Sequence, residues 1–442
     1  MTDGFLQLKE GDYGRFVSDL EKENERTNAF NFIDSREKTG RIISVKDNIC
    51  VKGMPATASS RMLEGYVPGF NATAVDRLEK EGFSVIGKTN MDEFGFGSFG
   101  LNSERPVRNP FDAEYVAGGS SSGSAAATAL IKDHVSVAES TGGSISAPSA
   151  FCGVVGFTPT YGAVSRYGLI DYASSLDKIG FIGKNSGSIR KAMEIAGGAD
   201  ALDTTSLSNG ISSRNPRRLY VADNLIKDAN EAVKDRFESL ISRLSSMGYE
   251  VEHVSIDNIE YAVPAYYILS MAEASTNLAK YQGFKYGFKV KDFSLNYNDF
   301  FMSARREFGR EAKRRIIFGT FIRSRSVREK YYEKALLLRR AITEQMKKFL
   351  DGGFIITPTM PIFTPKIGEV KDIRPVEAYS MDMLTVPPNL CGFPHVSFPY
   401  GYEKGMPIGA QLITGHFNDY ALFDFLSEWE ETFKYRFRRE VG

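Results

Sequence analysis

Histidine is scarce in this chain of 442 residues: His134, His253, His395 and His416 are the full set, scattered without an obvious partner. A serine here that acted as a nucleophile would therefore lack the usual imidazole relay. Cysteine is scarcer still. Cys50, Cys152 and Cys391 are odd in number, far apart and without CxxC spacing, which argues against a disulfide framework or a zinc site and leaves buried free thiols as the reading. Net charge is absent, with 55 Lys and Arg against 55 Asp and Glu, so the chain as a whole has no electrostatic pull on nucleic acid. No apolar run reaches membrane-spanning length. The opening "MTDGFLQLKEGDYGRF" is polar from its third residue and has none of the zones of a signal peptide, so a cytoplasmic protein is the expectation.

What is present is the composition of an ordinary globular protein, 42% apolar and 25% charged. Short β-type runs, among them "RIISVKDNI" (41–49), "FSVIG" (83–87), "HVSVA" (134–138), "RLYVA" (218–222), "VEHVSI" (251–256), "FIITP" (354–358) and "HVSFP" (395–399), alternate with helical patterns. Helices are expected at about 73–81, 123–132, 187–196, 226–247, 262–281, 326–350 and 419–434. This rhythm predicts an α/β fold: one large α/β/α domain spanning 1–442, with a mixed central sheet flanked by helices. Its core would lie at about 38–200 and 350–430, with a helical insertion at about 260–350. Residues 301–350 carry a local excess of Lys and Arg, as in "SARREFGREAKRRI". We read this as the solvated face of helices whose buried stripe is supplied by Ala335, Leu338, Ala341 and Ile342.

Two stretches rich in glycine and serine, "VAGGSSSGSAA" (116–126) and "ESTGGSISAP" (139–148), stand out. Neither has the Lys of a P-loop or the spacing of a dinucleotide fingerprint. Backbone N–H groups packed this way suit an oxyanion hole, and the glycines before Ser144 would let such donors converge. A base must then come from elsewhere. Lys46 lies in the apolar run "IISVKDNIC", where burial would favour its neutral amine, although a lysine at a strand edge can also snorkel to solvent.

Lys46 in "SVKDNI", Ser120 in "GGSSSGSAA" and Ser144 in "TGGSI" together resemble the amidase signature family. The resemblance implies a Lys-Ser-Ser relay, with Lys46 as base, Ser120 as bridging serine behind a cis peptide, and Ser144 as nucleophile. Thr141, Gly142, Gly143 and Ser144 would then supply the oxyanion-hole N–H groups. The chain departs from the family wording at Ser122, which replaces a glycine, and at Ser140 and Ser146, which replace an aspartate and an arginine. Loss of both members removes a charge pair without orphaning either partner.

Three further stretches, "GKTNMDEFGFGSFGLNS" (87–103), "PTYGAVSRYGLIDYASSLDKIG" (159–180) and "PNLCGFPHVSFPYGYEKGMPIGAQLI" (388–413), narrow the resemblance within that family. They are similar to the glutamine-hydrolysing A subunits of tRNA-dependent amidotransferases, over about 30–200 and 260–430. In that branch the substrate is zwitterionic, so its carboxylate calls for an arginine and its ammonium for a carboxylate. The matching positions are Arg315 in "EAKRRIIFGTF" and Asp382 in "YSMDMLTVPPN", with Tyr266 as a further contact. His395 is read as packing. The resemblance further implies B and C subunits completing a heterotrimer, with misacylated Glu-tRNA(Gln) or Asp-tRNA(Asn), ATP and magnesium bound by the B subunit. This chain would carry no cofactor and no metal. The alternative is a standalone amidase acting on another small amide.

Overall fold

The alternating runs become strands because their β-branched and aromatic residues can be buried on both sides of one sheet. The computed structural model describes residues 4–208, 210–437 and 440–442. Its strands are β1 (Gln7–Leu8), β2 (Phe30–Ile33), β3 (Gly40–Lys46), β4 (Phe83–Thr89), β5 (Val135–Ser140), β6 (Val155–Thr158), β7 (Lys178–Gly183), β8 (Arg218–Ala222), β9 (Glu250–Val254), β10 (Phe354–Pro358), β11 (His395–Glu403) and β12 (Met406–Ile413). They form a single mixed sheet in the order β2-β4-β3-β5-β7-β6-β11-β12-β10-β8-β9, with β1 paired to the start of β3. Each of the seven expected runs is a strand. The strands not foreseen, β1, β2, β6, β7 and β12, are short or carry glycine and proline that dilute the period-two signal.

Both faces of the sheet are covered, and adjacent residues show it. Ile43, Val85, Val137 and Phe181 join one apolar cluster, while their neighbours Ile42, Ile86, Ala138 and Ile182 join another. The second face is closed by the helix Ser122–Leu130, which is buried along its whole length. Its small residues let it lie close to the strands, where Ser44 Oγ and Ser136 Oγ meet at 2.7 Å and Thr128 Oγ1 meets Ser136 Oγ at 2.9 Å.

Between β9 and β10 the chain runs through the helices Ala262–Asn277, Tyr297–Arg305, Arg310–Arg323 and Lys334–Leu350. The helix Ala262–Asn277 packs against Arg310–Arg323 so tightly that a Cβ at Gly319 would fall 1.9 Å from Met271 O, which explains a glycine inside a helix. Within Lys334–Leu350 the buried positions are Ala335, Ile342, Met346 and Leu350; Leu338 is half-buried and Ala341 faces solvent. The stripe therefore follows a narrower seam than the one expected. Among the described residues no helix is long and apolar enough to cross a membrane. Cys50, Cys152 and Cys391 are free and buried.

Candidate active site

In open α/β sheets, crevices form where parallel strands end. Here β3 runs parallel to both β4 and β5. Lys46 is the last residue of β3, and the loops after β4 and β5 carry Asp92 and residues 141–144. Lys46 is fully buried, and its Nζ donates to Ser120 Oγ at 2.9 Å, to Glu139 O at 3.0 Å and to Glu139 Oε2 at 2.8 Å. An ammonium has three protons, and all are used. The Gly119–Ser120 peptide is cis. Asp92 holds this turn from below: its N–H donates to Ser120 O at 3.2 Å, and its carboxylate accepts the N–H groups of Gly100 at 3.1 Å and Asn102 at 2.7 Å. Burial raises its pKa to about 6.

Ser144 follows β5 and is almost buried; its carbonyl accepts from Ser121 N–H at 3.0 Å, which ties the two serine loops together. Gly143 has φ +133°, and a Cβ there would meet Thr385 Oγ1 at 2.2 Å; one at Gly142 would meet Tyr266 Cζ at 2.3 Å. Only glycine fits either position. Ser140 Oγ donates to Asn389 Oδ1 at 3.2 Å and accepts from Gly143 N–H at 3.3 Å. Asn389 Nδ2 in turn donates to Thr385 O at 2.9 Å and lies 3.2 Å from His395 Nε2. Burial pushes the His395 pKa down to about 3, and the neutral ring packs between Asn389 and Phe393 O. Ser146 Oγ is buried with no hydrogen-bond partner among the described residues, and with serine at both 140 and 146 the loop holds no charge pair there.

Beside Ser144 lies a small pocket, with free room for about 10 Å³, whose walls include Ser98, Gly142, Gly143, Tyr266, Tyr267, Arg315 and Asp382. The three residues matched to substrate binding thus share one pocket with Ser144. It adjoins a cleft of about 400 Å³, with which it shares Gly97, Ser98 and Arg315. The Arg315 guanidinium is buried among the rings of Phe96, Tyr172, Tyr267 and Tyr379, with centroids 4.9 to 5.5 Å away. It donates to Tyr172 Oη and, at 2.9 Å, to Glu311 Oε1. Asp382 Oδ2 accepts from Tyr267 Oη at 2.5 Å and Ser98 Oγ at 3.0 Å. Burial raises its pKa to about 6.

The sequence reading missed Ser98 and Tyr267, which orient Asp382, and Glu139, which grips Lys46. Tyr267 was legible only as the neighbour of Tyr266. Glu139 stood in the sequence only as an acid following the run "HVSVA"; its burial, with the side chain 1% exposed, is a finding of the structure.

The residues 34–423 match the family model described as Amidase. The A subunit of the glutamyl-tRNA(Gln) amidotransferase of Pseudothermotoga lettingae is 43% identical over 396 residues, covering 85% of this chain and 82% of the relative. That of Sulfolobus acidocaldarius is 41% identical, covering 90% and 86%. The crystal structure of the A subunit of glutamyl-tRNA(Gln) amidotransferase from Thermotoga maritima superposes with a TM-score of 0.81 at 34% identity, covering 100% of this chain and 99% of that one. A 6-aminohexanoate cyclic dimer hydrolase gives the same TM-score of 0.81 at 20% identity, which shows the shared fold alone.

Proposed function

The chain belongs to the amidase family, and we propose that within it this chain is the glutamine-hydrolysing A subunit of a tRNA-dependent amidotransferase. One observation carries the reading: the pocket that contains Ser144 also contains a buried arginine and a buried aspartate, the two charges needed by the ends of free glutamine. An apolar amide would leave Asp382 without a counter-charge and Arg315 with Glu311 alone.

Ser144 Oγ attacks the side-chain amide carbon of glutamine. Its proton passes to Ser120 Oγ as Ser120 gives its own to the neutral amine of Lys46. The oxyanion is met by the backbone N–H groups of Thr141, Gly142 and Ser144, which the two cramped glycines bring close, while the Gly143 N–H is taken by Ser140 Oγ. The proton returns from Lys46 through Ser120 to the departing nitrogen, and ammonia leaves. Water then hydrolyses the glutamyl ester by the same relay in reverse order. Arg315 holds the α-carboxylate, Asp382 holds the α-ammonium, and Tyr266 walls the side chain between them. The ammonia serves a B subunit that binds ATP, magnesium and the misacylated tRNA, with a C subunit joining the two. This chain then needs no cofactor of its own.

The test is ammonia release from glutamine by the chain alone and with candidate B and C subunits, with and without aminoacyl-tRNA. Glutamine-dependent release that rises on assembly is expected. Hydrolysis of apolar amides by the chain alone, with none of glutamine, would establish the standalone amidase instead.

A further inference from the structure

Behind Lys46 the structure contains a second buried cluster that the three-residue relay does not use. Glu139 Oε2 accepts from Lys46 Nζ at 2.8 Å and from Asn48 Nδ2 at 3.2 Å. Its other oxygen, Oε1, lies 2.6 Å from Thr141 Oγ1, and that same hydroxyl lies 2.8 Å from Asp177 Oδ1. All five side chains are within 1% of complete burial.

The hydrogens can be counted. Thr141 Oγ1 has a single proton, yet it stands at hydrogen-bond distance from two carboxyl groups, so one of those contacts needs a proton from the acid itself. Glu139 is held by a cationic donor and an amide, both donating to it, and needs no proton. Apart from its contact with Thr141, Asp177 accepts only backbone N–H groups, from Tyr172 at 2.9 Å and Ala173 at 3.0 Å, and among the described residues no cation pairs with it. A protonated Asp177 donates to Thr141 Oγ1, which donates to Glu139 Oε1, and every contact is satisfied. The cluster of Lys46, Glu139 and Asp177 then has no net charge, the state least costly to bury.

We infer that the one shared proton resides on Asp177, and that ionised Glu139 is the positioning residue that aims Lys46 at Ser120. Burial together with the charge of Glu139 pushes the Asp177 pKa well above the carboxylate range, in the direction the hydrogen count requires. The other charged groups facing the cluster are Lys178 at the start of β7, Asp171 beside Asp177, and Asp92 on the far side of Lys46. Family wording does not supply this arrangement, since the acid it carries in this loop lies at the position of Ser140. The inference rests on Lys46 being the base, as proposed above.

The experiment is the pH dependence of kcat/KM for glutamine hydrolysis by the assembled enzyme, alongside the pH dependence of Ser144 labelling by a sulfonyl fluoride. Glu139→Gln removes the anion that stabilises the Lys46 ammonium, so the acid limb of both profiles should move down by about 1 to 3 pH units. Asp177→Asn imitates the protonated acid, with Nδ2 donating to Thr141, and should keep the wild-type limb. The opposite pattern, an unmoved limb in Glu139→Gln and a shifted one in Asp177→Asn, places the proton on Glu139 and overturns the inference. Should Glu139→Gln not fold, the Asp177→Asn profile decides alone. Lys46→Ala separates the two levels: if it retains activity, the base assignment itself fails, whereas an inactive Lys46→Ala with unmoved Glu139→Gln limbs defeats only this inference.

Discussion

Replacing Asp382 by asparagine should stabilise the empty protein while destroying its use of glutamine. Among the described residues no cation is in hydrogen-bond contact with the buried carboxylate, and its pKa rises from 3.8 to about 6. At about 1.36 kcal/mol per unit, holding it ionised costs the fold about 3 kcal/mol above pH 6. Because the folded value lies above the unfolded one, the wild type is relieved of this burden below pH 3.8 and bears it in full once pH has risen through 6. Asparagine does not titrate. Its carbonyl can keep the two donations now made to Oδ2 by Tyr267 and Ser98, so the variant should match the wild type near pH 4 and exceed it by about 3 kcal/mol at pH 8. Trp429, the single tryptophan, is buried with its indole N–H on Pro399 O, and its fluorescence reports urea unfolding at each pH. With glutamine the order reverses, because the loss of the charge facing the ammonium should weaken binding by about 2 to 5 kcal/mol. A variant less stable than wild type at pH 8, or a stability difference that does not change with pH, would refute the burial argument.

Ser144→Ala and Lys46→Arg should each lower glutamine hydrolysis by at least about 10⁴-fold. Arginine can still pair with Glu139 but does not give up its proton; near-wild-type turnover by Lys46→Arg in an ammonia-release assay would remove Lys46 from the role of base. Arg315→Ala should abolish tRNA amidation with glutamine as donor yet spare it with ammonium salt, and equal loss with both donors would assign Arg315 to folding or assembly. Gly142→Ala drives a methyl group into the Tyr266 ring and should cost about 1 to 3 kcal/mol of stability along with most of the activity; an unchanged melting temperature and KM would show that the loop yields freely.

How far the sequence could go is clearest around Lys46. The seven strands with undiluted period-two or all-apolar runs were legible; of the residues singled out by distinctive wording, Lys46 meets Ser120, and Ser144 shares a pocket with Arg315 and Asp382. The environment of Lys46 was not legible, for a geometric reason. Register pairs Ser44 with Ser136 and Val45 with Val137, and side chains alternate along each strand. Lys46 therefore belongs to the face of Ser136 and Ala138, and Glu139 to the opposite one. Read by alternation, the two charges would be separated by the sheet, each an isolated ion that burial should neutralise. They meet because both lie where their strands end, so that a long lysine and a glutamate can close around the edge of the sheet and form an ion pair at 2.8 Å. The Lys46 that a sequence reader weighs as a lone ammonium is half of a pair, and removing Glu139 alone leaves an unpaired buried charge that only the neutral amine relieves.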